Sequence, residues 1–198
     1  MIKIKDLSFA YGENKIFNNF SLEINERLAF LVGKNGAGKT TLLKLIHGDL
    51  KNYTGEIISD DAFVVSQSFM LFDELNGYDN IAIAIGLAEK EVKNLVKTSP
   101  FYINGLERKL KFMTTIEKQT LELIAMSLSE KNLILLDEVS AALDYMTSKK
   151  LIDYIKSSNK SFLMVSHDED FIQNFDARKI FLDKQKNILD QKNETINC

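Results

Sequence analysis

Polar and apolar positions alternate with a period of two at the start of the chain. Ile2–Phe9 (IKIKDLSF) sets isoleucine, leucine and phenylalanine between charged or hydroxylated neighbours. Shorter stretches at Ile16–Phe17 and Phe20–Ile24 do the same, and Tyr11-Gly12-Glu13-Asn14 has turn chemistry. Two or three strands are predicted there. Arg27–Val32 (RLAFLV) is an apolar run of strand length, and Thr40–Ile46 (TTLLKLI) opens a helix that ends near His47-Gly48. Gly55–Ser59 and Ala62–Ser66 are short strand candidates around an Asp60-Asp61 turn.

The pattern then changes. Asp79–Ala88, Glu89–Val96 and Ile116–Leu128 read as helices, and residues 77–130 hold no convincing strand. Leu133–Leu136 and Ser161–Val165 are buried strands on either side of an amphipathic helix, Met146–Ser157. A short helix at Glu169–Asn174 and strands at Lys179–Leu182 and Asn187–Leu189 complete the pattern. Strands alternating with helices imply an α/β fold with a mainly parallel sheet. The expected organisation is one domain, its core at about 1–76 and 131–198 and a helical subdomain at about 77–130.

The eight residues between the apolar strand and its helix are Gly33-Lys34-Asn35-Gly36-Ala37-Gly38-Lys39-Thr40, a complete G-x-x-x-x-G-K-[ST] string. Its glycines let the backbone curl so that N–H groups point at phosphate oxygens. Lys39 can reach the β- and γ-phosphates, and the Thr40 hydroxyl can coordinate Mg²⁺. The helix N-terminus, beginning at Thr40 and Thr41, adds partial positive charge beside the phosphates.

Composition narrows the partners. The net charge is −3, which leaves no electrostatic footprint for nucleic acid. No apolar stretch approaches the roughly 18 residues of a membrane span. The N-terminal stretch lacks the apolar centre of a signal peptide, and the single cysteine, Cys198, cannot form an internal disulfide, which suits a reducing cytoplasm.

The order of the remaining motifs resembles that of ATP-binding cassette (ABC) nucleotide-binding domains over essentially the whole chain. Leu133–Glu138 (LILLDE) is similar to the Walker B strand, four apolar residues delivering two carboxylates at the strand's C-terminal end. The resemblance implies that Asp137 holds Mg²⁺ and that Glu138 polarises the attacking water as general base. Gln67 matches the Q-loop, whose amide touches the metal-bound water. His167, in Met164–Asp168 (MVSHD), matches the switch histidine at the γ-phosphate. Tyr11 falls where the family stacks an aromatic on adenine, with Phe9 or Phe17 as core residues beside it. Ala141-Ala142-Leu143-Asp144 matches the D-loop, with alanine in place of its usual serine.

The family resemblance implies a P-loop NTPase core, an N-terminal antiparallel β subdomain and an inserted α-helical subdomain. It also implies a cytoplasmic ATPase subunit, peripheral on the inner face of the membrane. Such a subunit uses ATP and Mg²⁺, dimerises with a second cassette and powers transmembrane permease subunits; export is the expected direction. The binding set is then Tyr11, Gly33, Asn35, Gly36, Ala37, Gly38, Lys39, Thr40, Thr41 and Thr114. Gln67, Glu138 and His167 carry the chemistry, and Thr40, Gln67 and Asp137 hold the metal.

One motif departs from the pattern. The signature Leu-Ser-Gly-Gly-Glu/Gln aligns with Met113-Thr114-Thr115-Ile116-Glu117, which has neither glycine. Thr114 keeps a hydroxyl and can cap a helix, while Thr115 and Ile116 add β-branched bulk where backbone must approach a phosphate. The half-site on this chain's own P-loop is therefore expected to be competent, and its donation to a partner's ATP weak. Two other readings share these motifs: a soluble ABC ATPase without a transporter, and a weakly catalytic subunit that uses ATP for dimerisation.

Overall fold

The computed structural model describes residues 1–66, 71–183 and 189–191. They form two compact units. The first comprises residues 1–64, 131–137 and those from Asn159 on; the second comprises 65–130 and 138–158.

In the first unit, β1 (Ile2–Tyr11) and β2 (Asn14–Ile24) make one long antiparallel hairpin. The register pairs Ile2 with Ile24, Ile4 with Leu22, Leu7 with Phe20 and Phe9 with Phe17, so one face is apolar and buried. The sequence pattern breaks β2 at Asn18-Asn19; the strand in fact runs through. A register shift absorbs the extra residue, with Asn19 at φ +55° and its N–H donating to Ser8 Oγ at 2.9 Å. β4 (Thr54–Ser59) lies on the other side of β1, completing a three-stranded antiparallel sheet in the order β2-β1-β4.

The second sheet has the order β5-β6-β7-β3-β8-β9, with β3 at Leu28–Val32, β5 at Ala62–Ser66, β6 at Leu133–Asp137, β7 at Ser161–Val165, β8 at Arg178–Phe181 and β9 at Leu189–Gln191. β6·β7, β7·β3 and β3·β8 are parallel, and β8·β9 is antiparallel. The central strands β3, β6 and β7 are buried on both faces, which is why they read as unbroken apolar runs. Against one face packs α1 (Lys39–His47) through Leu42, Leu43, Leu45 and Ile46, joining the hairpin's apolar face in a single core. The short α6 (Glu169–Ile172) brings Phe171 edge-on to Phe30, centroids 6.4 Å apart. It stops four residues in, short of the predicted Asn174.

The second unit is helical: α2 (Gly77–Ile85), α3 (Glu89–Leu95), α4 (Thr115–Leu128) and α5 (Tyr145–Ser157). Asn76 caps α2 by accepting the Asp79 N–H at 2.9 Å. The buried Asn80 pins residues 72–76, donating to the Phe72 and Asn76 carbonyls and accepting the Phe72 N–H at 2.7 Å. Phe101 meets Tyr154 edge-on at 5.5 Å, tying the 96–106 segment to α5. No helix among the described residues is long and apolar enough to cross a membrane.

Candidate functional site

Parallel register places the chemistry-bearing residues of the first unit at one end of its sheet. Asp137 pairs with Val165 across β6 and β7, and Val165 pairs with Leu31 across β7 and β3. The chain leaves these three neighbouring strands at Asp137, at Ser166-His167 and at Val32-Gly33 respectively. The carboxyl ends of parallel strands, before the helices that follow, are where α/β sheets bind ligands.

The Gly33–Thr40 loop is held from two sides. A Cβ on Gly33 would stand 2.3 Å from the Leu182 carbonyl oxygen, so backbone approaches backbone here and no side chain fits. Ala37 N–H donates to the Lys34 carbonyl at 3.1 Å, curling the loop, and Gly38 enters the helix at φ +97°. α1 begins at Lys39, one residue earlier than the apolar pattern suggests. Lys39 is only 7% exposed, and its Nζ donates to the carbonyls of Gly33 at 2.7 Å and Lys34 at 3.3 Å. The ammonium thus bridges the inside of its own loop. Asn35, Gly36 and Thr40 are exposed, Ala37 is buried and Thr41 half-buried.

Asp137 is the last residue of β6. Its Oδ1 is buried and has no hydrogen-bond partner among the described residues. A buried carboxylate oxygen without a donor is costly unless a cation or water meets it. Two residues past Val165, His167 is exposed; Ser166 before it is buried and its Oγ accepts the Asp168 N–H at 3.0 Å. Asp168 in turn caps α6 by accepting the Phe171 N–H at 3.0 Å. The histidine therefore sits between a buried serine and a helix cap, which fixes its backbone.

Tyr11, at the end of β1, is 47% exposed and stands edge-on to Phe9 with centroids 4.9 Å apart. Phe9 pairs with Phe17, whose ring reaches beneath Gly38. Both phenylalanines are buried, as core residues beside an exposed tyrosine should be. A chain of aromatic contacts thus runs from Tyr11 to the start of α1.

The second unit carries the other expected residues. Glu138 takes a left-handed conformation at φ +55°, turning the chain sharply out of β6 into a short 3₁₀ turn at Val139–Ala142. Asp144, expected from the resemblance to belong to the D-loop, caps α5 by accepting the Thr147 N–H and hydroxyl, each at 2.9 Å, and these bonds hold its carboxyl below the usual range. Gln67 lies outside the described residues.

Thr114 is the N-cap of α4 and half of a capping box. Its Oγ accepts the Glu117 N–H at 3.2 Å, and its own N–H donates to Glu117 Oε2 at 2.8 Å. Arg108 pairs with the other oxygen of Glu117. The Thr114 N–H and the Arg108 guanidinium hold that carboxyl below its usual range. The T-x-x-E spacing from Thr114 to Glu117 is the sequence signal of this capping box.

The geometry can be set beside known proteins. A family model described as "ABC transporter" matches residues 17–141. The ergothioneine transport ATP-binding protein EgtV of Helicobacter pylori (strain G27) is 34% identical over 87% of this chain and 92% of its own length. The methionine import ATP-binding protein MetN of Clostridium tetani (strain Massachusetts / E88) is 28% identical over 94% of this chain and 67% of its own length. Among solved structures, the dimeric post-hydrolysis state of the ATP-binding cassette MJ0796 bound to ADP and Pi superposes with a TM-score of 0.81 over 97% of this chain and 98% of that one, at 20% identity, which speaks to the fold. Export finds no support here, since relatives whose names give a direction, MetN among them, are import proteins. With an intact phosphate loop and a family match across more than half its length, the chain belongs to the ABC transporter family, as an ATP-binding subunit that hydrolyses ATP to power transport.

Proposed function

We propose that the chain binds Mg-ATP on its Gly33–Thr41 loop, closes with a second cassette around two nucleotides, and drives permease subunits from the cytoplasmic face of the membrane. The observation that carries this reading is the shared strand end: the phosphate loop, Asp137, whose Oδ1 has no partner among the described residues, and the His167 turn leave three adjacent parallel strands together. The chain acts as a single ABC domain over 1–198, with 77–130 as its helical subdomain.

The loop N–H groups from Asn35 to Thr41 and the Lys39 ammonium hold the β- and γ-phosphates; for this, Lys39 exchanges its carbonyl partners for phosphate oxygens. Tyr11 stacks on the adenine. Asp137 and the Thr40 hydroxyl, with the Gln67 amide, would hold Mg²⁺, and a buried carboxylate oxygen with no donor among the described residues suits a hard divalent cation. Bound there, Mg²⁺ offsets phosphate charge. Glu138, next in sequence to Asp137, takes the proton from the attacking water as its oxygen bonds to the γ-phosphorus and the bond to ADP breaks. His167 hydrogen-bonds the γ-phosphate and registers its departure.

Thr114 would face a partner's nucleotide, and Thr115 and Ile116, standing where the signature has two glycines, weaken that donation by putting β-branched bulk where backbone must approach a phosphate. The fitting partner is therefore a cassette with a glycine-containing signature, and the hydrolysing site is the one on this chain's own loop.

Two measurements test the proposal. Calorimetric titration of the purified chain with Mg-ATP should give saturable one-site binding, and its absence would sink the reading. ATPase activity should be low for the chain alone and rise with a partner cassette bearing an intact signature. Full, cooperative hydrolysis by the chain alone would sink the asymmetry.

A further inference from the structure

α4 buries every residue from Gln119 to Met126, more than two turns with no solvent face. Within that run lie a glutamate and a glutamine one helical turn apart: Glu122 is 5% exposed and Gln119 6%. Neither Glu122 Oε2 nor Gln119 Nε2 has a hydrogen-bond partner among the described residues. Among the described residues, the Glu122 carboxyl accepts from the backbone N–H of Ser66. Ser66 is the last residue of β5 and the residue before Gln67.

An apolar residue would fill this position at lower cost, because burying a carboxyl with one partner is unfavourable. What the carboxyl supplies and an apolar side chain cannot is an acceptor for the N–H at the end of β5. We propose that Glu122 is a positioning residue: it latches the end of β5 to α4, and so fixes the residue that immediately precedes Gln67 in the chain. The proposal rests on the assignment of Gln67 to the metal-bound water. The same helix begins at Thr114, about 12 Å away at 1.5 Å per residue, so the segment facing a partner and the latch are rigidly joined.

Burial pushes the Glu122 carboxyl up to about 8, so near neutrality it is held as the uncharged acid. The elements packed most closely on α4 are α2 and the 139–142 turn. α2 brings Asp79, whose carboxylate accepts from Asn76 Nδ2 at 2.7 Å, and the turn carries no charge of its own, with Glu138 just before it. On α4 itself the charged groups are Glu117, paired with Arg108, and Lys118, paired with Asp73. Burial and the Ser66 N–H are the influences that set its protonation.

The test uses the full chain with a hydrolysis-competent partner cassette and compares Glu122→Leu with Glu122→Gln. Glutamine keeps an acceptor for Ser66 and cannot ionise; leucine keeps the volume and loses the acceptor. Glu122→Leu should cut kcat about tenfold or more, as expected when a catalytic group is displaced, with KM for ATP little changed. Glu122→Gln should restore kcat and remove any fall in kcat above pH about 8. Amide hydrogen exchange at Ser66 should be fast in the leucine variant and slow in the wild type and the glutamine variant. Unchanged exchange in Glu122→Leu overturns the latch, and wild-type kcat in that variant overturns its link to catalysis. Gln67→Ala is the separate control: normal turnover there would overturn the assignment of Gln67, while the exchange result still decides the latch.

Discussion

The tip of the Phe17 ring lies 3.0 Å from the point where a Cβ on Gly38 would stand. Ile16 Cγ2 lies equally close. The hairpin that carries Tyr11 therefore packs directly against the turn into α1, and the glycine is what permits the contact. Gly38 also sits at φ +97°, where an L side chain is strained whatever the space. Two separate costs meet at one residue.

That separation can be measured. Gly36 sits at φ +78° with nothing within 4 Å of its Cβ position, so Gly36→Ala incurs the backbone cost alone, on the order of 1 kcal/mol. Gly38→Ala adds the clash with Phe17 and Ile16 and should cost about 2–4 kcal/mol in total. Urea unfolding of the two variants should give clearly different midpoints. Equal losses would show that the hairpin does not press on the loop.

Lys39 gives the sharpest binding prediction. Its Nζ spends its charge on the Gly33 and Lys34 carbonyls, so it is already inside the loop and needs little rearrangement to meet phosphate. Removing a charged hydrogen bond of about 1.5–3 kcal/mol should weaken ATP binding roughly 10- to 150-fold in Lys39→Ala. Titration calorimetry reads this directly, and unchanged affinity would refute the assigned role.

Much of this fold could be read from the chain because its central strands are buried on both faces. Ser161–Val165 is an apolar run bounded by polar residues, and its ends fall where the sequence puts them. The phosphate loop was legible for a different reason, since its geometry demands glycine and lysine at fixed spacing. Asn18-Asn19 misled because a bulge and a strand break have the same local composition; cross-strand register distinguishes them, and register is not local. Glu122 was not legible at all. A lone glutamate in a helix normally marks the solvent face, and only the burial of α4 on all sides reverses that reading.

Glu138 is tested by separating binding from chemistry. A general base contributes about 10²- to 10⁴-fold to rate. Glu138→Gln keeps size and hydrogen bonding yet cannot take a proton, so it should bind ATP normally and lose hydrolysis by about that factor. The left-handed backbone at Glu138, φ +55°, is expected to persist, because glutamine tolerates it no worse. Single-turnover assays beside nucleotide-binding titrations check both halves, and normal turnover would count against Glu138 as the base.

Glu122 makes a prediction about stability that is independent of catalysis. Its carboxyl titrates near 4.5 when unfolded and is pushed up to about 8 by burial in the folded chain. Between those values the folded state holds a proton that the unfolded state has released. Stability attributable to this group is therefore greatest in acid and falls as pH rises, by up to about 1.4 kcal/mol per pH unit, levelling off above the folded value. Glu122→Gln has no such proton to lose. Every other titrating group is shared by the two proteins, so the difference between their unfolding free energies isolates Glu122. From pH about 5 to about 8 the glutamine variant should gain steadily on the wild type, with little further change at higher pH. Two stability curves running parallel across that window would show that Glu122 does not carry its proton in the folded chain.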